Sequence, residues 1–218
     1  VGDPLCDIDH EKTYEINYLA TDLITNLCKS FLVKRYIYIS SCSVYGENKN
    51  SECLDEKSKI NPLSTYAKLK LNCEEAIIKN NKQDLNYTIL RLGTVFGSSF
   101  RPRFDLVINL FSALAEIKGE INIEGGKQWR PFVHVLDVAR AISAVISADE
   151  KKIKRQIFNV VGSNSKIADI ALKIKKYKKK LKVKSKKSMG SYTSTLNRNK
   201  VQITGPIIQD WYFVISKK

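Results

Sequence analysis

Apolar and polar positions along the chain follow two alternating periods. Apolar residues recur at helical spacing over 11–30 and 63–79, whereas 35–41 and 87–92 are short segments rich in Ile, Leu and Tyr, which are typical of buried strands. The alternation continues with a predicted helix at 105–118, strands at 121–124 and 132–135, a helix at 137–148 and a strand at 156–161. Such an order predicts an α/β fold with a parallel sheet covered on both faces.

Two segments depart from this pattern. The polar stretch 47–62 predicts a surface loop. Residues 166–187 are compatible with a very basic helix, but the lysine-rich run 178–187 within them has no apolar stripe. The final segment around Trp211 has no assignable pattern.

Charge is distributed unevenly. The net charge is +15, and residues 151–200 carry 17 of the 37 Lys and Arg residues with one acidic residue, Asp169. Clustered lysines can bind phosphate backbones, but a solvated lysine-rich segment is the simpler interpretation, so a nucleic-acid partner is not expected. The chain has no apolar run near the ~18 residues of a membrane span and no signal-peptide pattern. We therefore expect a cytoplasmic protein without a membrane partner.

Cysteine and histidine usage argues against a metal site. The five cysteines form no C-x-x-C pair, and the two histidines, His10 and His134, have no ligands at metal-binding spacing. We therefore expect reduced, buried cysteines and no bound metal.

Three polar motifs follow one another in the order of the predicted strands. They are Ser40-Ser-Cys-Ser-Val-Tyr-Gly46, Tyr66-x-x-x-Lys70 and Arg91-Leu-Gly-Thr-Val-Phe-Gly97. Ligands of parallel sheets bind beyond the carboxyl ends of the strands, where Ser41 falls. Tyr66 and Lys70 share one helix face, and a nearby cation favours a phenolate, so Tyr66 is predicted to act as a general acid/base.

Residues 1–165 resemble the extended short-chain dehydrogenase/reductase family, and within it the NAD-dependent epimerase/dehydratase branch that acts on nucleoside-diphosphate sugars. The resemblance implies a Rossmann-like doubly wound parallel sheet with a small C-terminal substrate-binding lobe, and NAD or NADP as cofactor. It divides the chain into part of an NAD-binding domain (1–100), a substrate-binding lobe interleaved with the last Rossmann elements (101–165) and a basic, divergent tail (166–218).

The resemblance also implies roles for individual residues. It assigns catalysis to Ser41, Tyr66 and Lys70, and cofactor binding to Asn17, Tyr66, Lys70 and Gly93. It assigns substrate binding to Ser41, Thr94, Arg103 and Arg130, the last because Trp129–Ala139 is similar to the family's R-D-x-x-H-V-x-D-x-A signature. Asp137 is expected to cap the following helix. Homodimerisation through helices 11–30 and 63–80 is a further implication.

The sequence also departs from the family. It contains no G-x-x-G-x-x-G turn, and Val1-Gly-Asp-Pro4 resembles the loop after the family's fourth strand, so we expect an incomplete sheet that lacks the first βαβ units. Gly190 stands where the family often has an Arg that contacts substrate phosphate.

The type of reaction depends on the residues that follow Ser41. Family dehydratases have Asp-Glu after the catalytic Thr, whereas Cys42-Ser43 follow Ser41 here, which argues against a dehydratase and favours an epimerase or a reductase. The alternatives are a reductase or dehydratase of the same family, or a non-catalytic fragment whose basic tail binds nucleic acid or an acidic partner.

Overall fold

The computed structural model describes residues 6–47, 53–79, 85–186 and the short strand 202–203. Its helices are α1 (His10–Tyr14), α2 (Ala20–Ser30), α3 (Thr65–Lys79), α4 (Val107–Ile117), α5 (Val135–Ser147), α6 (Glu150–Ile153) and α7 (Ile167–Tyr177). A π-helical turn, Glu15–Leu19, joins α1 to α2, and a 3₁₀ turn spans Cys42–Tyr45. Within these ranges, none of the helices combines the length and hydropathy needed to cross a membrane.

The strands fall into several small sheets. They are β1 (Tyr36–Ser41), β2 (Cys53–Leu54), β3 (Tyr87–Leu92), β4 (Thr94–Phe96), β5 (Glu120–Glu124), β6 (Trp129–His134), β7 (Gln156–Val160), β8 (Ser163–Lys166), β9 (Lys182–Lys186) and β10 (Gln202–Ile203). The sheet orders are β1-β3-β7, β4-β6-β8, β5-β9 and β10-β2.

The β1-β3-β7 sheet is entirely parallel and is covered on both faces, as the alternating pattern predicts. Side chains alternate across β3, so that Ile89 packs with Cys73 and Ile77 of α3 on one face. Leu90 packs on the other face with Val145 of α5. The carboxyl ends of β1 and β3 therefore meet beside the first turns of α3.

Strands β4, β5, β6 and β9 form a second core with α4 and α7. Strand β4 pairs parallel with β6, β8 pairs antiparallel with β6, and β5 pairs parallel with β9. Residues 166–187 form a basic helix only as far as Tyr177. Ile167, Ile170 and Ala171 are buried at helical spacing in α7, whereas the lysine-rich run that follows contains β9. The three-part domain division stays a prediction.

Helix α5 begins differently from the expectation. His134, rather than Asp137, is the N-cap residue, and its Nδ1 accepts a hydrogen bond from the Leu136 N–H at 3.3 Å. Asp137 lies inside the first turn, where a negative charge is favourable, and pairs with Arg140 at 2.9 Å. The predicted cap at Asp137 is therefore wrong by three residues.

Candidate active site

Ser41 ends β1 and caps the 3₁₀ turn that follows it. Its Oγ accepts a hydrogen bond from the Ser43 N–H at 3.2 Å, and the Ser43 hydroxyl lies 2.9 Å from the same atom. Ser41 is half-buried, so its own hydroxyl can reach a ligand. Because Ser43 fixes the oxygen from one side, Ser41 is suited to donate a hydrogen bond to a bound oxygen atom.

Tyr66 and Lys70 are both half-buried in the first two turns of α3. The Lys70 Nζ lies 5.8 Å from the centre of the Tyr66 ring and 4.9 Å from the centre of the Tyr38 ring. Burial lowers the pKa of Lys70, and the charges of Cys73 and Glu74 oppose this effect. The structure thus places a partly desolvated ammonium beside the candidate acid/base.

The ammonium of Lys70 also contacts the backbone of β1, donating to the Ile39 carbonyl at 2.9 Å. The Tyr36 N–H bonds to the Asn86 carbonyl, so alternate residues of β1 face β3 and Ile39 faces the opposite edge. Among the described residues, no strand pairs along that edge. Lys70 therefore lies at the edge of the sheet, next to the carboxyl end of β1.

Asn17 lies within the π-helical turn that joins α1 to α2. The Asn17 side-chain amide donates a hydrogen bond to the Thr13 carbonyl at 2.9 Å. The backbone carbonyl of Asn17 accepts hydrogen bonds from Thr21 Oγ1 at 2.7 Å and from Cys73 Sγ at 3.2 Å. π-Helical turns often mark functional sites because they shift backbone groups out of the regular ladder. The Cys73 contact brings Asn17 against the helix that carries Tyr66 and Lys70.

Gly93, Thr94 and Arg130 lie where β3, β4 and β6 meet. A Cβ at Gly93 would be 3.1 Å from the backbone of Pro131, so close packing of the strands itself calls for a small residue there. Thr94 is the first residue of β4, and Arg130 lies on β6; both are half-buried. Their assigned roles in binding cofactor or substrate stay predictions.

Arg103 is exposed and forms an ion pair with Asp105. Its Nε and Nη2 donate to the two carboxylate oxygens at 3.1 Å and 2.5 Å. The hydrogen bond to Asp105 raises the pKa of Arg103, and Tyr66 makes a smaller contribution in the same direction. Arg103 is therefore within electrostatic range of Tyr66, although its guanidinium is turned toward Asp105.

The sequence reasoning missed a set of buried polar residues beneath these side chains. Glu74, four residues after Lys70, accepts hydrogen bonds from Ser40 and Arg91, and all three are almost fully buried. One signal in the sequence was available, because the spacing Tyr66-x-x-x-Lys70-x-x-x-Glu74 places three functional groups on one helix face.

Comparison with known proteins identifies the family. A model of the NAD dependent epimerase/dehydratase family matches residues 2–161, which is most of the chain. The chain belongs to this family. The matched range includes the serine turn, the Tyr66 and Lys70 pair and the Arg91–Gly97 segment.

Curated relatives include both kinds of enzyme named by the family. A putative UDP-glucose 4-epimerase of Methanocaldococcus jannaschii is 35% identical over 131 residues, which cover 58% of this chain and 43% of the relative. A dTDP-D-glucose 4,6-dehydratase of Dictyostelium discoideum is 28% identical over 179 residues, covering 75% of this chain and 39% of the relative. The chain thus spans less than half the length of these two relatives.

Solved structures show the same fold. A UDP-N-acetylglucosamine 4-epimerase from Methanobrevibacter ruminantium matches with a TM-score of 0.81 at 24% identity, over 96% of this chain and 66% of that protein. A UDP-glucose 4-epimerase from Thermotoga maritima matches with a TM-score of 0.83 at 19% identity, over 100% of this chain and 75% of that protein. The predicted Rossmann-like parallel sheet is confirmed.

The described residues fit one end of the family's cofactor. An ammonium has three N–H donors, so Lys70 can donate to ribose hydroxyls as well as to the Ile39 carbonyl. Tyr66 and Ser41 add a phenol and a hydroxyl near the same edge of the sheet. This donor set suits the nicotinamide-ribose half of NAD.

In the described part of the chain, no three His, Cys, Asp or Glu side chains could hold a metal ion.

Proposed function

We propose that the complete protein is an NAD-dependent nucleotide-sugar epimerase. The observation that carries the proposal is that Lys70, whose Nζ lies 5.8 Å from the centre of the Tyr66 ring, donates a hydrogen bond to Ile39 of β1, the strand that ends in Ser41. Tyr66 takes the proton from a sugar hydroxyl, and Ser41 donates a hydrogen bond to that oxygen. Lys70 favours the phenolate form of Tyr66. Bound NAD supplies hydride acceptance and return, which makes a keto-sugar a reversible intermediate.

The residues after Ser41 favour epimerisation over dehydration. Elimination of water needs an acid near the neighbouring sugar carbons, but Cys42 is buried and its Sγ faces the Arg91 carbonyl at 3.2 Å. Burial strongly raises the pKa of the Cys42 thiol. Ser43 is engaged with Ser41. Neither side chain therefore supplies the acid that a dehydratase requires.

The substrate proposed is a nucleoside-diphosphate sugar, with Arg130 and Arg103 as donors to its phosphates and Thr94 beside the sugar. A guanidinium offers a planar set of N–H groups that matches phosphate oxygens. Arg103 would exchange its contact with Asp105 for one to the ligand. Asn17 and Gly93 are assigned to the cofactor side of the site. NADP is an alternative cofactor, and the site is proposed to operate in the cytoplasm.

The test is an assay of the complete gene product with NAD and UDP-sugars, followed by NMR. We expect interconversion of 4-epimers without loss of water. Because a positioned acid/base contributes about 10²–10⁴-fold, Tyr66→Phe should lower kcat by that factor, and Ser41→Ala should also lower it. Lys118→Met, in an exposed position after α4, is the control and should retain activity. A 4-keto-6-deoxy product would instead identify a dehydratase, and full activity of Tyr66→Phe would contradict the mechanism.

A homodimer is proposed on the basis of an apolar surface on the N-terminal helices. Ile16, Leu23 and Phe31 are 60%, 59% and 78% exposed, and a second copy of the chain would cover them. Light scattering of the wild-type protein should give the mass of a dimer, and the Leu23→Lys variant should have the mass of a monomer. Leu136→Lys, at a similarly exposed leucine on α5, is the matched control and should leave the dimer intact. A monomeric wild-type protein would refute the proposal.

A further inference from the structure

Five buried polar side chains form a connected cluster beneath the candidate site. Glu74 and Arg91 are each 1% exposed and form an ion pair at 2.6 Å. Ser40 Oγ donates to Glu74 at 2.5 Å, Arg91 Nη1 donates to the Tyr45 hydroxyl at 2.9 Å, and that hydroxyl lies 2.8 Å from Asn159 Oδ1. The buried polar cluster therefore ties together β1, α3, β3, the 3₁₀ turn and β7.

Each part of the buried polar cluster lies next to a candidate site residue. Ser40 directly precedes Ser41 in β1. Glu74 lies one helical turn after Lys70, on the same face of α3. Tyr45 belongs to the 3₁₀ turn that begins after Ser41. The hydrogen bonds of Glu74 thus join the strand that ends in Ser41 to the helix that carries Lys70.

A contribution to the stability of the fold does not by itself explain why Glu74 and Arg91 form a buried ion pair. Desolvation of two charges offsets most of their attraction, so well-packed apolar residues often replace a buried ion pair without loss of stability. Hydrogen bonds are directional, however, and Glu74 uses both carboxylate oxygens to contact two different strands. Such a group fixes relative positions more effectively than apolar contacts do.

We propose that Glu74 is a positioning residue, which holds the strand of Ser41 against the helix of Tyr66 and Lys70 through Ser40 and Arg91. The roles of Ser41, Tyr66 and Lys70 in this statement rest on the proposed function. The geometry of the buried polar cluster does not rest on the proposed function, because it concerns only contacts within this chain.

The position of Glu74 also affects the ammonium of Lys70. Burial lowers the pKa of Lys70, and the charges of Cys73, Glu74 and Cys6 oppose it in that order. In the part of the chain that the structure describes, the phenols Tyr38 and Tyr66 also face Lys70. Removal of the Glu74 charge therefore leaves burial less opposed, and the pKa of Lys70 should fall further.

The test compares three variants by NMR in the absence of substrate. Glu74→Met combined with Arg91→Met removes both charges, and such a pair replacement is expected to fold. Ser40→Ala keeps the ion pair and removes one hydrogen bond. Thr88→Val is the matched control, since the Thr88 hydroxyl is equally buried and donates to the Ile153 carbonyl at 2.8 Å, on β3 but away from the cluster.

The measurements are the pH titration of the Lys70 Cε resonance, assigned with Lys70→Arg, and hydrogen exchange of the Ser43 amide. We expect the double variant to speed exchange of the Ser43 amide, because it removes both ends of the ion pair that joins α3 to the strands. It should also shift the Lys70 titration to lower pH, since Glu74 is among the charges that raise the pKa of Lys70 and Arg91 is not. Ser40→Ala should speed exchange of the Ser43 amide about fivefold, the factor for loss of one typical hydrogen bond. Thr88→Val should change neither readout, although it also lowers the melting temperature.

Two results would overturn the proposal. One is a folded double variant whose Ser43 amide exchanges as in the wild type. The other, which applies even if the double variant does not fold, is a Ser40→Ala protein whose Ser43 amide exchanges as in the wild type. Absence of epimerase activity would refute the proposed function and would leave these measurements unaffected.

Discussion

Gly46 ends the 3₁₀ turn that carries Ser43, and its replacement by alanine tests how closely that turn is packed. Its backbone has φ +66° and ψ −137°, a region that residues with a Cβ rarely adopt. An alanine Cβ would also lie 1.8 Å from the carbonyl oxygen of Asn61, whereas real Cβ atoms keep at least 3.0 Å. The alanine variant must therefore both strain its own backbone and displace the Asn61 peptide.

The size of the effect follows from these two contributions. A positive φ costs a residue with a Cβ about 1–2 kcal/mol. Displacement of Asn61 disrupts the hydrogen bond from its N–H to the Val44 carbonyl, now 3.1 Å long, at a cost of about 1 kcal/mol. Residual close contacts add to this, so we expect Gly46→Ala to lower the free energy of unfolding by about 3 kcal/mol or more. For a chain of this size the melting temperature should fall by about 6–12 °C.

Gly119→Ala is the matched control. Gly119 also has a positive φ, of +63°, but a Cβ there would meet no atom within 4 Å. It should therefore show only the backbone cost of about 1–2 kcal/mol. Urea unfolding of the two variants and the wild type measures the difference. If Gly46→Ala is no less stable than Gly119→Ala, the close approach of Gly46 to Asn61 is refuted.

Two further predictions concern ionisable side chains. Cys53 is exposed and should react with a thiol reagent in the native state, whereas Cys42 should react only on unfolding, because burial raises the pKa of its thiol; equal rates would contradict this. The hydrogen bond from Arg103 lowers the pKa of Asp105 below its ordinary value of 3.8, so Arg103→Met should raise that pKa in an NMR titration. The pair stabilises the fold above the unfolded-state pKa and is lost as pH falls through the folded-state value. The stability difference between the two proteins should therefore disappear in acid, and a pH-independent difference would refute the assignment.

The elements of the main sheet could be predicted because their signals are local. Strand β3 was predicted at 87–92 and observed at Tyr87–Leu92, and β1 was predicted at 35–41 and observed at Tyr36–Ser41. Both are covered on two faces, and a strand in that position is marked by a short run rich in Ile, Leu and Tyr. The serine turn and the Tyr66–Lys70 pair were found for a similar reason, since each is a short motif with fixed spacing.

The buried polar cluster could not be predicted in this way, because its partners are far apart in sequence. Glu74 is 34 residues from Ser40 and 17 from Arg91, and Tyr45 is 114 from Asn159. No periodicity links such positions, and each of them alone would be expected on the surface. The cap at His134 was missed because capping depends on how the chain leaves β6, which the pattern of residues does not specify.

The lysine-rich residues 178–186 pair with acidic residues of neighbouring elements when the chain folds. Strand β9 carries Lys182, Lys184 and Lys186, and its neighbour β5 places Glu120 opposite Lys182 and Glu124 opposite Lys186. Lys184 forms an ion pair with Glu120 at 2.7 Å, and Lys178 pairs with Glu116 of α4. Opposite charges across neighbouring strands stabilise a sheet and reduce the charge available to an anionic ligand. Part of the positive charge of the lysine-rich residues 178–186 is thus paired within the fold itself, which favours a structural role for these lysines over a nucleic-acid surface.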